Sequence, residues 1–214
     1  MTAAVPASVL IAGPRRRRET APTGIAALDC LVGGLERGAV AEITGPASSG
    51  RTTAVAACLR EATSRGECVA YIDASNAADP ASLAGAGVEF ERLLWVRCGR
   101  NAEAALKAAD LVLHAGGFGL VCLDLGGVSR RELNRIPFSW WFRFRRAIAG
   151  TRTAFVVLSD HPAAGSCAAL RLRFEAPEPA FSGRGPGRLF RGFHSRLRAE
   201  ANGREHAVSF SAAA

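Results

Sequence analysis

The chain has 214 residues, of which 49% are hydrophobic and 21% are charged, and its formal net charge is +8. This composition can bury a core, which excludes a wholly disordered chain. The apolar runs are far shorter than the roughly 18 residues that a membrane helix needs, so no such helix is expected. The six cysteines include no CxxC pair, which argues against a zinc site and a disulfide framework and favours buried thiols in a reducing cytoplasm.

Positive charge is concentrated in three segments of the sequence. Residues 1–20, 128–152 and 171–214 carry four, seven and eight arginines, against one, one and four acidic residues. Such clusters attract phosphate backbones or an acidic protein surface. The alternative is a coding bias toward arginine on an ordinary solvated surface, which would explain arginine in place of lysine but not the clustering.

The predicted elements alternate between short apolar strands and helices. Residues 1–20 lack periodicity and are predicted to form a flexible basic arm. Strands are predicted at residues 39–44, 67–73, 93–98, 119–124 and 153–159. Helices are predicted at residues 52–65, 80–86, 102–114 and 139–149. The alternation is typical of an α/β fold in which helices cover both faces of a mostly parallel sheet.

The C-terminal part of the chain has a different pattern. Prolines and glycines between Pro177 and Gly187 indicate a loop. Residues 189–199 and 207–210 then alternate like antiparallel strands around Asn202-Gly203, a favourable hairpin turn. We therefore divide the chain into an arm at 1–20, a core at 21–175, and a tail at 176–214 whose arginine-rich β-hairpin completes the sheet.

A glycine-rich motif follows the first predicted strand. The phrase GPASSGRT at 45–52 fits the pattern GxxxxGK[ST], except that Arg51 replaces the lysine. In this motif, backbone N–H groups and a helix N-terminus bind a phosphate. Arg51 keeps the charge, but its planar guanidinium is not interchangeable with an ammonium group. The residues expected at the phosphate are Gly45, Ser48, Ser49, Gly50, Arg51, Thr52 and Thr53. The alternative is a retained loop that binds nothing.

Two side chains are candidates for holding Mg²⁺ beside that loop. The Thr52 hydroxyl occupies the motif position that binds the metal. Asp124 ends a later apolar strand, where a carboxylate of the magnesium shell would lie. Asp73 ends another strand, and Asp160-His161 follows the last one. No Ser/His/Asp arrangement can be argued from the spacing, so no catalytic residue is assigned.

An aromatic and basic segment at residues 136–146 is the best candidate contact surface. Aromatic and arginine side chains together suit protein interfaces and stacking on single-stranded bases. The residues predicted to contact a partner or DNA are Trp140, Trp141, Arg143, Arg145 and Arg146, with Arg188 and Arg191 from the tail. The alternative is a core helix packed on the sheet, although five large aromatics in seven residues cannot all point inward.

Several phrases together resemble the RecA family of P-loop proteins. They are Thr23-Gly24 with Leu28-Asp29, Gly33-Gly34-Leu35, the phrase EITGPASSGRTT at 42–53, YIDA at 71–74 with Asp79-Pro80, and Leu123-Asp124. The resemblance extends from Thr23 to about Asp160 and implies a RecA-like core that binds ATP, Mg²⁺ and DNA. It adds Asp79 to the expected nucleotide-binding residues, and it leaves self-association open.

The sequence departs from that family at the residues that serve ATP. Ser75 replaces the glutamate that orients the attacking water, and Ser82 replaces the tyrosine that stacks on adenine. Ser159-Asp160 aligns with the polar pair that senses the γ-phosphate, and an aspartate there would repel phosphate. With Arg51, these changes lead us to expect that ATP and Mg²⁺ bind weakly or not at all, with little or no ATPase activity.

A degenerate core with basic extensions resembles the short RecA relatives called ImuA. These are encoded beside an inactive polymerase homologue, ImuB, and an error-prone polymerase. The resemblance implies an accessory protein of the SOS response and of translesion, mutagenic DNA synthesis, which is cytoplasmic and nucleoid-associated and which contacts those partners and DNA. The alternative is an active DNA-dependent ATPase of the recombination class.

Overall fold

A mostly parallel sheet lies at the centre of the chain. The computed structural model describes residues 19–176, 178–183, 185–201 and 204–213. Two short strands, β1 (Thr20–Ala21) and β2 (Leu35–Glu36), pair with each other. The remaining strands are β3 (Val40–Thr44), β4 (Val69–Asp73), β5 (Leu93–Arg97), β6 (Leu120–Leu125), β7 (Ala154–Ser159), β8 (Ala168–Phe174), β9 (Glu178–Ser182), β10 (Leu189–Ala201) and β11 (Arg204–Ala213). Among the described residues, these nine strands form one sheet.

The strand order is β11-β10-β8-β3-β7-β6-β4-β5, and β9 pairs with β10. The pairs from β8 to β5 are parallel, whereas β10 is antiparallel to β8, β9 and β11. The C-terminal hairpin therefore extends the core sheet. Its predicted turn, Asn202-Gly203, and most of the predicted N-terminal arm lie outside the described residues.

Helices cover both faces of this sheet. They are α1 (Ala26–Val32), α2 (Arg51–Ser64), α3 (Pro80–Gly85), α4 (Ala102–Ala115), α5 (Arg130–Leu133) and α6 (Phe138–Ile148). Along β4, Val69 and Tyr71 pack in the cluster that contains α2, whereas Ala70 and Ile72 pack in the cluster that contains α4 and α6. Since successive strand residues point to opposite faces, a strand buried on both faces is apolar throughout. The predicted α/β fold is confirmed.

Several elements were not predicted from the sequence, α1 and β9 among them. The segment Ala26–Val32 forms α1, which ends at Gly33 in the left-handed conformation with φ of 77°. Glu178–Ser182 forms β9 inside the predicted loop, because it pairs with the first half of the long strand β10. Of the cysteines, Cys58, Cys122 and Cys167 are buried as expected, whereas Cys30 and Cys68 are exposed and Cys98 is half-buried, against the expectation. In the described part of the chain, no helix is both long and apolar enough to cross a bilayer.

A buried arginine joins the strand starts at the edge opposite the glycine-rich loop. Arg37 donates from Nη1 to Glu67 Oε2 at 3.0 Å and to the carbonyl oxygens of Gly119 and Arg152 at 3.0 and 2.9 Å. Its Nη2 donates to Glu67 Oε1 at 2.6 Å. These partners directly precede β4, β6 and β7, so a single side chain connects three strands at their N-terminal ends.

Candidate phosphate-binding site

The glycine-rich loop joins β3 to α2 in a backbone conformation that few residues can adopt. Gly45, Ser48 and Gly50 have φ values of 152°, 60° and 94°. A Cβ atom on Gly45 would lie 2.6 Å from the carbonyl oxygen of Phe174, so only glycine fits there. Gly50 is the N-cap of α2 and offers no side chain to its first turn. The loop and the helix N-terminus therefore retain the shape that binds an anion.

A cavity of about 620 Å³ lies in front of this loop. Its lining includes four of the predicted residues, Ser48, Arg51, Thr52 and Asp124. The volume lies within the range of roughly 300–1,000 Å³ typical of small-molecule sites. The carboxyl ends of parallel strands meet at this edge of the sheet, which explains how residues distant in sequence come together.

Arg51 is directed into the site and is already paired. Its Nη1 lies 2.5 Å from Asp160 Oδ1, and the two side chains are 10% and 30% exposed. Neither atom makes an aligned hydrogen bond with another described group, so the contact is an ion pair. Both positions depart from the family pattern, but the contact between them was not predicted from the sequence. The opposite charges at two altered positions of one site could have indicated it.

Asp124 ends β6, as expected, and both of its carboxylate oxygens accept hydrogen bonds. The buried hydroxyl of Tyr71 donates to Oδ2, and the backbone N–H of Gly126 donates to Oδ1 at 2.7 Å. Asp124 is 5% exposed, and this burial raises the pKa of its carboxyl. The hydrogen bonds and the charge of Arg51 oppose that effect.

The residues after β4 do not supply a base. The Ser75 hydroxyl donates to the carbonyl oxygen of Gly126, and a hydroxyl cannot act as a base at neutral pH. Asp73 is buried and accepts from the backbone N–H groups of Ala77 and Ala78, both at 3.1 Å, so it shapes this turn. The residues present therefore offer a phosphate-binding loop, with a serine and no carboxylate at the position expected to orient water.

Three predicted phosphate contacts have other surroundings. Asp79 is the exposed N-cap of α3, and it accepts from the N–H and the hydroxyl of Ser82 at 2.8 and 2.6 Å. It is not among the described residues that line the cavity, and its assignment to the nucleotide stays a prediction. Ser49 is buried beneath the loop, and Thr53 is exposed on α2.

The aromatic and basic segment forms α6, and its two faces have different surroundings. Trp141 is 2% exposed and packs in the core against Phe144, so its prediction as a contact residue is wrong. The reason is helical spacing, because Trp141, Phe144 and Ile148 share the inner face. On the outer face, Phe138 and Phe142 are 43% and 51% exposed.

The predicted arginines of α6 are all exposed. Arg143 donates from Nε and Nη2 to the two carboxylate oxygens of Asp110 on α4, at 2.5 and 2.6 Å, so its charge is already neutralised. Its guanidinium also lies 6.0 Å from the ring centre of the half-buried Trp140. Arg145 and Arg146 present their charge to solvent, beside the exposed phenylalanines.

The tail adds a second exposed aromatic and basic group. Phe181 on β9 and Phe190 on β10 are cross-strand partners whose ring centres lie 5.6 Å apart. The guanidinium of Arg188 lies 5.2 Å from the Phe181 ring centre, and Arg191 donates from Nε to the Ser182 hydroxyl at 2.7 Å. The sequence pattern indicates the two arginines but not the aromatic pair, because Phe181 lies in a predicted loop.

Comparison with known proteins supports the relationship suggested by these motifs. A family model described as the RecA N-terminal domain matches residues 7–132. Protein RecA of Bifidobacterium longum is 39% identical over 113 residues, which are 52% of this chain and 28% of that protein. Protein RecA of Levilactobacillus brevis is 42% identical over 108 residues, and protein RecA of Salinispora tropica is 40% identical over 121 residues.

The matched stretches cover 50% and 55% of this chain, and 28% and 34% of the last two relatives. The chain thus spans about a third, or less, of the curated relatives that it matches. The family model itself extends over more than half of the chain, from the N-terminal segment to α5. The chain therefore belongs to the RecA family.

Proposed function

We propose that this protein is a RecA-like accessory factor of the DNA damage response that supports translesion DNA synthesis through contacts with proteins and DNA. In this proposal its nucleotide site binds ATP and Mg²⁺ weakly or not at all. The observation that carries the proposal is the ion pair between Arg51 and Asp160, because it neutralises the cation of the phosphate loop. By resemblance, the protein partners are an ImuB-type polymerase homologue and an error-prone polymerase.

The nucleotide side of the proposal is supported by what the site residues already bind. Asp124 accepts hydrogen bonds at both oxygens, and Ser75 stands where a water-orienting carboxylate would be needed. ATP hydrolysis in P-loop proteins depends on metal binding and on a residue that positions the nucleophile. Here the position of the water-orienting residue holds a serine, and the carboxylate expected to serve the metal already accepts two hydrogen bonds.

The DNA side of the proposal is supported by exposed arginines that have no acidic partner among the described residues. Arg145 and Arg146 on α6 are exposed, with Arg145 also hydrogen-bonded to Cys167, and Arg188 lies beside the exposed rings of the tail. Guanidinium groups bind phosphate oxygens, and adjacent aromatic rings can stack on unpaired bases. We therefore propose single-stranded DNA as the form bound at these surfaces.

The test is a titration of fluorescent single-stranded DNA at several salt concentrations. The variant Arg145→Ala/Arg146→Ala is compared with Arg92→Ala/Lys107→Ala, which removes the same charge from sites outside the basic segments. For single-stranded DNA, each phosphate contact contributes roughly 0.7 to the slope of log K against log salt. If each arginine contacts one phosphate, the α6 variant should therefore reduce the magnitude of this slope by about 1.4. Equal losses in both variants would show that only net charge matters and would contradict the assigned surface.

The second candidate function is a DNA-dependent ATPase. The observation in its favour is that Ser48, Thr52 and Asp124 line one cavity together with the glycine-rich loop. Tight binding of a fluorescent ATP analogue in the presence of Mg²⁺, lost in both Thr52→Ala and Asp124→Ala, would support this candidate. Weak binding that is insensitive to both substitutions would favour the accessory role.

A further inference from the structure

The cation of the phosphate loop is neutralised by a carboxylate of the same chain. Arg51 Nη1 and Asp160 Oδ1 are 2.5 Å apart, and the Arg51 side chain is nine-tenths buried. Both atoms are inaccessible to solvent, and neither has an aligned hydrogen-bond partner among the described residues. Each charge therefore depends on the other, and a buried charge that loses its partner is costly.

The backbone on both sides of Asp160 is fixed in a way that holds its carboxylate in place. The preceding residue, Ser159, is buried and donates its hydroxyl to the carbonyl oxygen of His161 at 2.8 Å. The buried carboxylate of Glu42 on β3 accepts from the N–H groups of Ala163 and Ala164 at 2.6 and 2.8 Å. Asp160 lies between these two anchors, so little conformational freedom is lost when it pairs with Arg51.

The surroundings of Arg51 otherwise suit an external anion. Arg51 is directed into the cavity of about 620 Å³, which Ser48 and Thr52 line at the uncapped start of α2, and Asp160 lines the neighbouring cleft with Gly45. A phosphate entering there would need the guanidinium for charge balance, and it would meet the negative charge of Asp160. Attraction to the loop and repulsion by Asp160 thus oppose each other at the same atoms.

We infer that Asp160 is an intramolecular occupant of the anion site, which competes with phosphate for Arg51 and determines the low affinity of the loop. This inference rests on the proposed weak nucleotide site and names its cause. It predicts that the loop remains competent, so that removal of one carboxylate restores binding of inorganic phosphate and of ADP without any further change.

The test measures the affinity of Asp160→Asn and of wild-type protein for a fluorescent ADP analogue, with EDTA present so that metal binding does not contribute. Asparagine keeps the size of the side chain and removes its charge. We expect the variant to bind about tenfold more tightly or better, as for the gain of a charge-assisted contact with phosphate. Inorganic phosphate should displace the probe from the variant at correspondingly lower concentrations.

Two further variants identify the origin of the gain. Arg51→Met/Asp160→Asn should lose it, because the released guanidinium is what binds the phosphate. Glu89→Gln should leave the affinity unchanged, because Glu89 pairs with Arg92 at 3.3 Å on the exposed surface, away from the residues that line the cavity and the cleft beside the loop. Circular dichroism and the melting temperature confirm that each variant is folded.

The inference would be overturned if Asp160→Asn bound ADP no better than wild type, or if the gain persisted without Arg51. The first result would make the pair a structural contact only. Neither result bears on whether the wild-type protein hydrolyses ATP, so failure of this inference is distinguishable from failure of the proposed function. Should Asp160→Asn be unstable, Asp160→Ser gives the same comparison with a smaller neutral side chain.

Discussion

Asp124 lies where a metal ligand is expected, at the end of β6, yet it is held as a buried acceptor for Tyr71 and Gly126. Burial raises the pKa of its carboxyl, so the folded chain binds this proton more tightly than the unfolded chain does. The ionised carboxylate therefore lowers stability, and this cost increases as the pH rises from the ordinary aspartate pKa through the raised value.

Asp124→Asn should remove this pH dependence. Relative to wild type, the free energy of unfolding of the variant is expected to increase between pH 4 and pH 7, as measured by urea denaturation at several pH values. Asp79→Asn is a control of opposite sign, because hydrogen bonds from Ser82 lower the pKa of Asp79 and its ionised form stabilises the fold. A parallel pH profile for Asp124→Asn and wild type would contradict the assignment of a buried, ionisable Asp124.

At the residue scale, the sequence allowed individual positions to be predicted but not their partners. The position of Asp124 could be inferred because it ends an apolar strand, and Ser75 could be recognised from the family pattern. The bond from Tyr71 to Asp124 could not be inferred, since it joins neighbouring strands whose register depends on the folded sheet. The same holds for Arg51 and Asp160, which are more than a hundred residues apart.

At the scale of single elements, α6 shows how one helix can serve both the core and the surface. Its inner residues pack in the cluster that contains α4, and its outer residues include Phe142 and two solvent-facing arginines. The aromatic density of the sequence indicated both roles. Only the position of each side chain around the helix assigns a role to each residue, and one tryptophan was assigned to the wrong face.

Substitutions on the two faces of α6 should separate the two roles. Trp141→Ala should lower the free energy of unfolding by about 3–5 kcal/mol, because it empties a core position. Phe142→Ala should change it by about 0.5 kcal/mol, as at other surface sites. Denaturant unfolding measures both values. Similar losses for the two variants would mean that the outer face is also packed, against the assignment made here.

The contribution of Arg37 to stability can be tested in the same way at the N-terminal ends of the strands. Arg37→Ala should cost about 3 kcal/mol, because it leaves the Glu67 carboxylate without its buried partner. Lys107→Ala is the matched control, since Lys107 pairs with Glu103 at 2.7 Å on the surface and such pairs contribute about 0–1 kcal/mol. Equal unfolding free energies for the two variants would show that the Arg37 contacts do not stabilise the sheet.

At the scale of the whole molecule, the core sheet was predictable because its strands are apolar on both faces and each is followed by a helix or a turn. The C-terminal strands were predicted less completely. β9 contains two residues that disfavour strands, Glu178 and Pro179, and it is formed by pairing with β10. Pairing partners of that kind depend on the folded chain, so local sequence patterns do not reveal them.

The arrangement of charge connects the fold to the proposed role. The phosphate loop lies at one edge of the core, where its cation is neutralised within the chain, whereas Arg145 and Arg146 of α6 and Arg188 and Arg191 of the tail are exposed. Polyanions such as DNA are therefore expected to bind at these exposed surfaces. The proposed boundaries at residues 20 and 175 stay predictions, and limited proteolysis would test them by showing whether cleavage concentrates there.

The most direct test of the central claim is ATP hydrolysis by purified wild-type protein with Mg²⁺, with and without single-stranded DNA. Thr52→Ala provides the background from contaminating ATPases. We expect wild type and the variant to release phosphate at the same rate, with no stimulation by DNA, while wild type still binds the DNA. DNA-stimulated turnover that Thr52→Ala abolishes would contradict the claim and would make the protein an ATPase.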